Sequence, residues 1–318
     1  MHSFRELSKI FEEKFSGRHF PLKPETLYDP AEYFLKFGGK RIRPVMCLMG
    51  NELVDEIVPD CYFVATAIEL FHNFTLIHDD IMDKAPLRRG VETVHTKFGE
   101  PAALLSGDVM LVLAYEYLNK ISEDRLKKVL QLFNKTAKEV CEGQQLDMNF
   151  EKKQKVSFDE YMHMIELKTS VLLAASLQLG ALLGGAGAGN QQHIYEFGKN
   201  LGIAFQLQDD YLDAFGDPEK FGKLVGGDIV ANKKTFLSIH TSEVASAQQL
   251  NELSIAGTND KVEKTLKLYK ECNVDQWAKE LKEKYLQAAL MHLEKIAVLS
   301  SRKKPLLELA EYLIHRQA

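Results

Sequence analysis

Two aspartate clusters carry the chemistry this sequence can offer: Asp79-Asp80-Ile81-Met82-Asp83 and Asp209-Asp210-Tyr211-Leu212-Asp213. Each spells Asp-Asp-x-x-Asp inside an apolar, helix-like stretch. Residues i and i+4 share a helix face, so Asp79 projects with Asp83, and Asp209 with Asp213. Like charges at that spacing destabilise a helix unless something offsets them. A hard divalent cation does this well, because Mg²⁺ prefers carboxylate oxygen and keeps positions open for water or substrate phosphates. Two clusters, each followed by a basic segment, point to a diphosphate held between facing carboxylate walls through metal ions.

The basic segments are distinct in kind. Gly38-Gly39-Lys40-Arg41-Ile42-Arg43-Pro44 sets its cations at a helix boundary, where free backbone N–H groups also favour an anion. Arg88-Arg89-Gly90 follows the first cluster closely, and Lys168-Thr169 sits mid-chain. Lys223 and Lys233-Lys234-Thr235 follow the second cluster, around a glycine-rich stretch from Gly216 to Gly227 that could close as a lid. Arginine offers phosphate oxygens a planar fork, and lysine a point charge.

The elements that must position these groups read as helices. Phe4, Leu7, Phe11 and Phe15 recur at helical spacing with Glu and Lys opposite. Asp29-Pro30 predicts a helix start and Gly38-Gly39 its stop. Ser122 before Glu123 and Asp124 suits another start, and Ser157 with Glu160 matches a capping box. No alternating strand pattern is expected. Gly184 to Asn190 is the best break, but it has the length of a helix-helix connection. The reading is all-α: one domain, residues 1–318, folded as a single large helical bundle around a central cavity into which facing helices present side chains.

Composition bounds the rest. With 45% hydrophobic and 27% charged residues the chain buries a sizeable core, and a net charge of -5 gives no bulk reason to bind nucleic acid or an anionic membrane. Cys47, Cys61, Cys141 and Cys272 form no CxxC pair, so they are expected to be buried, reduced thiols of a cytoplasmic protein. The N-terminus lacks the apolar core of a signal peptide, and the most apolar run, Val171 to Leu183, is too short for a membrane span.

Taken together, Gly38 to Pro44, Leu76-Ile77-His78 with the first cluster, Arg88-Arg89-Gly90, Gly143-Gln144-Gln145-Leu146-Asp147, Lys168-Thr169, and Phe205-Gln206-Leu207-Gln208 with the second cluster resemble the trans-isoprenyl diphosphate synthases (polyprenyl synthetases), in that family's order. The resemblance implies an all-α, homodimeric prenyltransferase of the short-chain farnesyl or geranylgeranyl type. It joins isopentenyl diphosphate head-to-tail to dimethylallyl, geranyl or farnesyl diphosphate, giving a C15 or C20 product. It further implies three Mg²⁺ ions held by Asp79, Asp83 and Asp209, with Asp80, Asp210, Asp213 and Asp217 as nearby ligands or acceptors. Arg88, Lys168, Thr169, Gln206, Lys223 and Lys233 match positions that hold the allylic diphosphate. Lys40, Arg43, His72 and Arg89 match those that hold isopentenyl diphosphate. Gln144 and Asp147 divide between ligands and interior hydrogen-bonding residues, and His78 and His95 receive no role.

The same resemblance makes Phe74, five residues before Asp79, a floor that stops chain growth, with Phe71 beneath it. At a rise of about 1.5 Å per residue they lie roughly 7.5 and 12 Å below the metal site. Two rival readings stand beside this one. A terpene cyclase would carry a mixed Asn/Ser/Glu motif in place of the second cluster and no second diphosphate site. A non-catalytic partner subunit would have lost an aspartate cluster.

Overall fold

The computed structural model describes residues 1–216, 226–254 and 260–315. Lys223 and Asp217, and most of the expected lid, lie outside the described residues. The chain divides into two compact units, neither of them one continuous stretch.

The first unit comprises Met1–Phe133, Ser176–Gln191 and Val298–Pro305. It opens with α1 (Phe4–Phe15), whose N-terminus is closed by a reciprocal Ser3/Glu6 capping box and whose Leu7, Phe11 and Phe15 are buried. The next helix, α2, runs Glu25–Leu35. The sequence places this start at Asp29-Pro30, but Pro30 lies inside the helix and Pro24 precedes its first residue. The true start is thus one turn earlier, and the helix carries Pro30 at the cost of one backbone hydrogen bond. Then come α3 (Ile42–Val54), α4 (Pro59–Met82), a two-residue antiparallel hairpin of β1 (Leu87–Arg88) and β2 (Val91–Glu92), α5 (Val94–Phe98) and α6 (Glu100–Leu118). The hairpin is too short to leave a periodic signal, and the fold class remains all-α. Its central residues Arg89 and Gly90 both have positive φ, 53° and 77°, the pattern of a tight type I′ connection.

Along α6, Ala103, Gly107, Met110, Ala114 and Leu118 are buried while Leu104, Leu105 and Val112 stay exposed. Length and composition alone would let α6 cross a membrane, as they would the helical stretch Phe158–Leu183. That second stretch is longer than the sequence suggests because Val171–Leu183 continues a preceding helix, and 72% of an 18-residue apolar window within it is buried inside the fold. Cys47 and Cys61 are buried free thiols with sulfurs 3.7 Å apart; contrary to expectation, Cys141 is exposed and Cys272 half-buried.

The second unit comprises Asn134–Ala175, Gln192–Ala297 and Leu306–Ala318. It takes most of α7 (Glu123–Lys152), then α8 (Phe158–Ile165), a π-helical turn (Glu166–Ser170), the start of α9 (Val171–Leu183), and α10 (Ala188–Phe215). The capping box expected at Ser157 and Glu160 is present at the start of α8. After α10 follow α11 (Gly227–Val230), α12 (Phe236–Val244), α13 (Ala247–Ser254), α14 (Lys261–Glu271), α15 (Val274–Glu294) and α16 (Ser300–His315). Tyr161, Ile203, Leu207, Phe236, Tyr269 and Val274 are at the heart of this unit's core.

Candidate active site

The first cluster occupies the C-terminal end of α4, where Asp83 is the capping residue itself. The second lies in the last two turns of α10. Both therefore set carboxylates at the negative pole of a long helix, where the macrodipole disfavours anions and favours cations. The crowding read from the i, i+4 spacing is compounded by where the helices end.

In the first unit Asp79 and Asp80 share one partner, Arg88. Asp80 is 2% exposed, and both its oxygens accept from Arg88 Nε at 2.9 Å. Burial pushes the Asp80 pKa up against the pull of Arg88. Arg88 also reaches Asp79 Oδ2 at 3.3 Å. The hairpin turn that carries Arg88 sends Arg89 elsewhere: its guanidinium donates to the Gly38 carbonyl. Gly39 permits that approach, since a Cβ there would stand 3.0 Å from Arg89 Nη1 and the residue's φ is +150°.

The three cations of residues 40–43 separate. Lys40 is exposed. Arg41, with φ of 48°, turns inward to Glu69 Oε1 at 2.5 Å and Glu12 Oε2 at 3.1 Å. Arg43 Nη1 donates to His72 Nε2 at 3.0 Å, which requires a neutral imidazole with its proton on Nδ1. The His72 pKa is accordingly far below its usual value, through burial first and then the positive Arg43 and Arg89. Burial lowers the Arg43 pKa to about 10, which leaves it charged at neutral pH, and its buried Nε has no hydrogen-bond partner among the described residues. A desolvated guanidinium with a donor to spare is chemically suited to an anion.

Below Asp79 on α4, Phe74 packs on Phe71 (centroids 5.7 Å apart), Phe71 on Phe133 (5.4 Å), and Phe133 on Tyr115 (5.5 Å). Phe71 is 1% exposed. His78 meets Phe74 edge-on, with centroids 4.7 Å apart, and contacts the Leu104 carbonyl, and His95 meets Thr93.

The second unit gathers Asp147, Lys168, Thr169, Gln206, Asp210 and Lys233 around one small cavity, which Lys234 also lines. The π turn places Lys168 and Thr169 there. Gly143 on α7 lets it approach, for a Cβ at that residue would stand 2.3 Å from the Lys168 nitrogen. Lys168 Nζ binds Asp147 Oδ2 at 2.5 Å, so Asp147 is an ion-pair partner of Lys168 here. Asp210, 6% exposed, accepts from Tyr161 at 2.6 Å and from Gln206 at 2.9 Å. Burial raises its pKa to about 6 although Lys233 opposes the shift. Asp213 Oδ2 accepts the Asp228 N–H at 2.9 Å, and Lys233 Nζ lies 3.8 Å from Asp228 Oδ1.

Sequence reasoning missed Tyr161 and Asp228. Tyr161 stands two helical turns before Lys168 and Asp228 shortly before Lys233, but neither spacing marks a role without the fold. As for a metal, no three His, Cys, Asp or Glu side chains among the described residues converge on one point. Paired aspartates at i and i+4 nonetheless suit Mg²⁺, which takes one or two carboxylates and completes its shell with water and phosphate oxygen.

Helical carboxylate clusters attended by desolvated arginines and by partly exposed lysines define a protein that handles diphosphates. Residues 24–272 match the family model for polyprenyl synthetase. A geranylgeranyl diphosphate synthase from Methanosarcina mazei is 39% identical over 93% of this chain and 91% of its own. Among solved structures, a geranylgeranyl pyrophosphate synthase superposes with a TM-score of 0.95 at 42% identity over 100% of both chains. Another from Pyrococcus horikoshii gives 0.91 at 34% identity, covering 98% of each. The chain belongs to the polyprenyl synthetase family, and it is a trans-prenyltransferase that joins isopentenyl diphosphate head-to-tail to allylic diphosphates.

Proposed function

We propose that the protein makes the C20 all-trans product, geranylgeranyl diphosphate, using Mg²⁺, with residues 1–318 working as one synthase domain in the cytoplasm. The observation that carries the reading is that both aspartate clusters are present, each at a helix C-terminus and each with its own cations. The relatives named above, all three geranylgeranyl synthases, support C20 over C15.

In this reading Asp79, Asp83 and Asp209 hold three Mg²⁺ ions, with Asp213 nearby. Bound Mg²⁺ supplies Lewis-acid stabilisation of the charge that develops on the departing diphosphate. Arg88, Lys168, Thr169, Gln206 and Lys233 bind and orient the allylic diphosphate, adding fixed positive charge where the anion forms. Asp80, with both oxygens on Arg88, aims that guanidinium instead of ligating metal. Lys40, Arg43, Arg89 and neutral His72 hold isopentenyl diphosphate, whose double bond attacks the allylic cation as the C–O bond breaks. The proton then lost has the released diphosphate as its acceptor, so no strong side-chain base is required. Aromatic walls such as Phe74 and Phe71 exclude water that would quench the cation.

The exposed apolar face of α6 is the proposed homodimer seam: Leu105 and Val112, two turns apart, are 57% and 56% exposed. Leu105→Glu with Val112→Glu should convert a dimer to monomers in light scattering.

The decisive experiment incubates purified protein with Mg²⁺, isopentenyl diphosphate and each allylic starter. A C20 diphosphate is expected, with turnover abolished by chelation and lowered about a hundredfold or more in Asp79→Ala. A cyclic hydrocarbon from geranyl diphosphate alone would establish the cyclase instead.

A further inference from the structure

Tyr161 belongs to no motif of the sequence, yet its hydroxyl reaches the second carboxylate cluster. The residue is 2% exposed, its ring lies 6.0 Å from that of Phe236, and its O–H donates to Asp210 Oδ2 at 2.6 Å. The other oxygen, Oδ1, accepts from Gln206 Nε2 at 2.9 Å. Gln206 Oε1 accepts from the Thr169 hydroxyl at 3.0 Å. Four side chains thus form one directed chain of donors and acceptors.

The direction matters. An ionised carboxylate only accepts, so the end of Gln206 that meets Asp210 is the NH₂. Its carbonyl then faces Thr169, whose proton is committed to it, and the second N–H of Gln206 remains for an anion. A tyrosine that served packing alone would be matched by phenylalanine, and a carboxylate buried beside it would be a net cost. The phenol instead satisfies the one Asp210 oxygen that Gln206 does not.

We infer that Tyr161 is a positioning residue for the transfer reaction: its hydroxyl holds Asp210 so that Asp210 at one end, and the Thr169 hydroxyl at the other, fix the Gln206 amide with its remaining N–H toward the allylic diphosphate. This rests on the proposed assignment of Gln206 and Thr169 to that substrate. Asp210 is then an anchor within its cluster, leaving Asp209 and Asp213 to the cation.

The test is steady-state kinetics on the full-length protein with Mg²⁺, varying each substrate in turn. Tyr161→Phe keeps the ring and removes the O–H. It should raise KM for farnesyl diphosphate about tenfold, as one lost hydrogen bond to a charged group does, and leave KM for isopentenyl diphosphate unchanged. Thr169→Val should act in the same direction. Because both work through Gln206, the double variant should show no larger rise than the greater single one. Asp210→Asn, which presents an NH₂ to one of its donors, should reproduce the selective rise and serves if Tyr161→Phe does not fold. Single rises that multiply in the double variant, equal rises for both substrates, or a lowered urea midpoint with unchanged kinetics would each overturn the inference. If Gln206→Ala and Thr169→Val both leave the allylic KM unchanged, the substrate assignment itself falls, whatever Tyr161→Phe does.

Discussion

Phe74→Ala should lengthen the product by a definite step. Phe74 and Phe71 are three residues apart on α4, so the next aromatic lies about 4.5 Å deeper. One isoprene unit adds four carbon–carbon bonds, about 5 Å when extended at roughly 1.5 Å a bond. Removing the Phe74 ring therefore makes room for about one unit, moving the main product from C20 to C25. Growth should then stop, because Phe71 is 1% exposed and braced by Phe133, which is itself braced by Tyr115. Adding Phe71→Ala should extend growth again, at a stability cost of about 3–5 kcal/mol for a buried phenylalanine. Dephosphorylated products separated by reversed-phase chromatography and weighed by mass spectrometry read this directly. An unchanged C20 distribution in Phe74→Ala would remove the floor, and runaway products beyond C35 would show that Phe71 is not braced.

Neighbouring cations should give opposite phenotypes. Lys40→Ala, at an exposed position, should raise KM for isopentenyl diphosphate more than for the allylic substrate while shifting stability by no more than about 0.5 kcal/mol; equal effects on both substrates would undo the division between the two sites. Arg41→Ala leaves Glu69 buried with Asn73 as its one side-chain hydrogen-bond partner among the described residues and should cost about 3–5 kcal/mol in urea unfolding, which a loss below 1 kcal/mol would contradict. His72 predicts a pH effect whose sign follows from its lowered pKa. Above pH 6.5 the imidazole is neutral folded and unfolded alike. Below it the unfolded chain takes up a proton that the folded one refuses, so the group's contribution falls as pH drops from about 6.5. The stability gap between the protein and His72→Gln should narrow from pH 7.5 to 5.5, and a constant gap would show that His72 titrates normally.

The helical class, the capping box at Ser157 and the aspartate pairs were legible because each is a local pattern with a local cause. What separates Lys40, Arg41 and Arg43 was not. They are adjacent cations in the sequence, and only the left-handed backbone at Arg41 with the carboxylates of Glu12 and Glu69 turns one of them inward. The start of α2 misled because Pro30 follows Asp29 as a capped N-terminus would, while the real start is set by Pro24. Tyr161 and Asp228 were invisible for a related reason: each gains its partner from a separate segment, Asp210 for one and Asp213 for the other, and no periodicity within one segment encodes that.

Carboxylates at the negative ends of α4 and α10 have a consequence for the lifetime of the molecule as well as its turnover. A ligand that binds only the folded state adds RT ln(1 + [L]/Kd), about 2.7 kcal/mol at a hundredfold excess over Kd. On the proposed assignment, a cation bound at these helix ends would relieve a repulsion built into the folded chain, so magnesium supply would set how much of the protein survives unfolding and proteolysis. Depletion of the ion would then reduce the amount of enzyme as well as its rate, and substrate diphosphates arriving with their metal would protect the protein that consumes them.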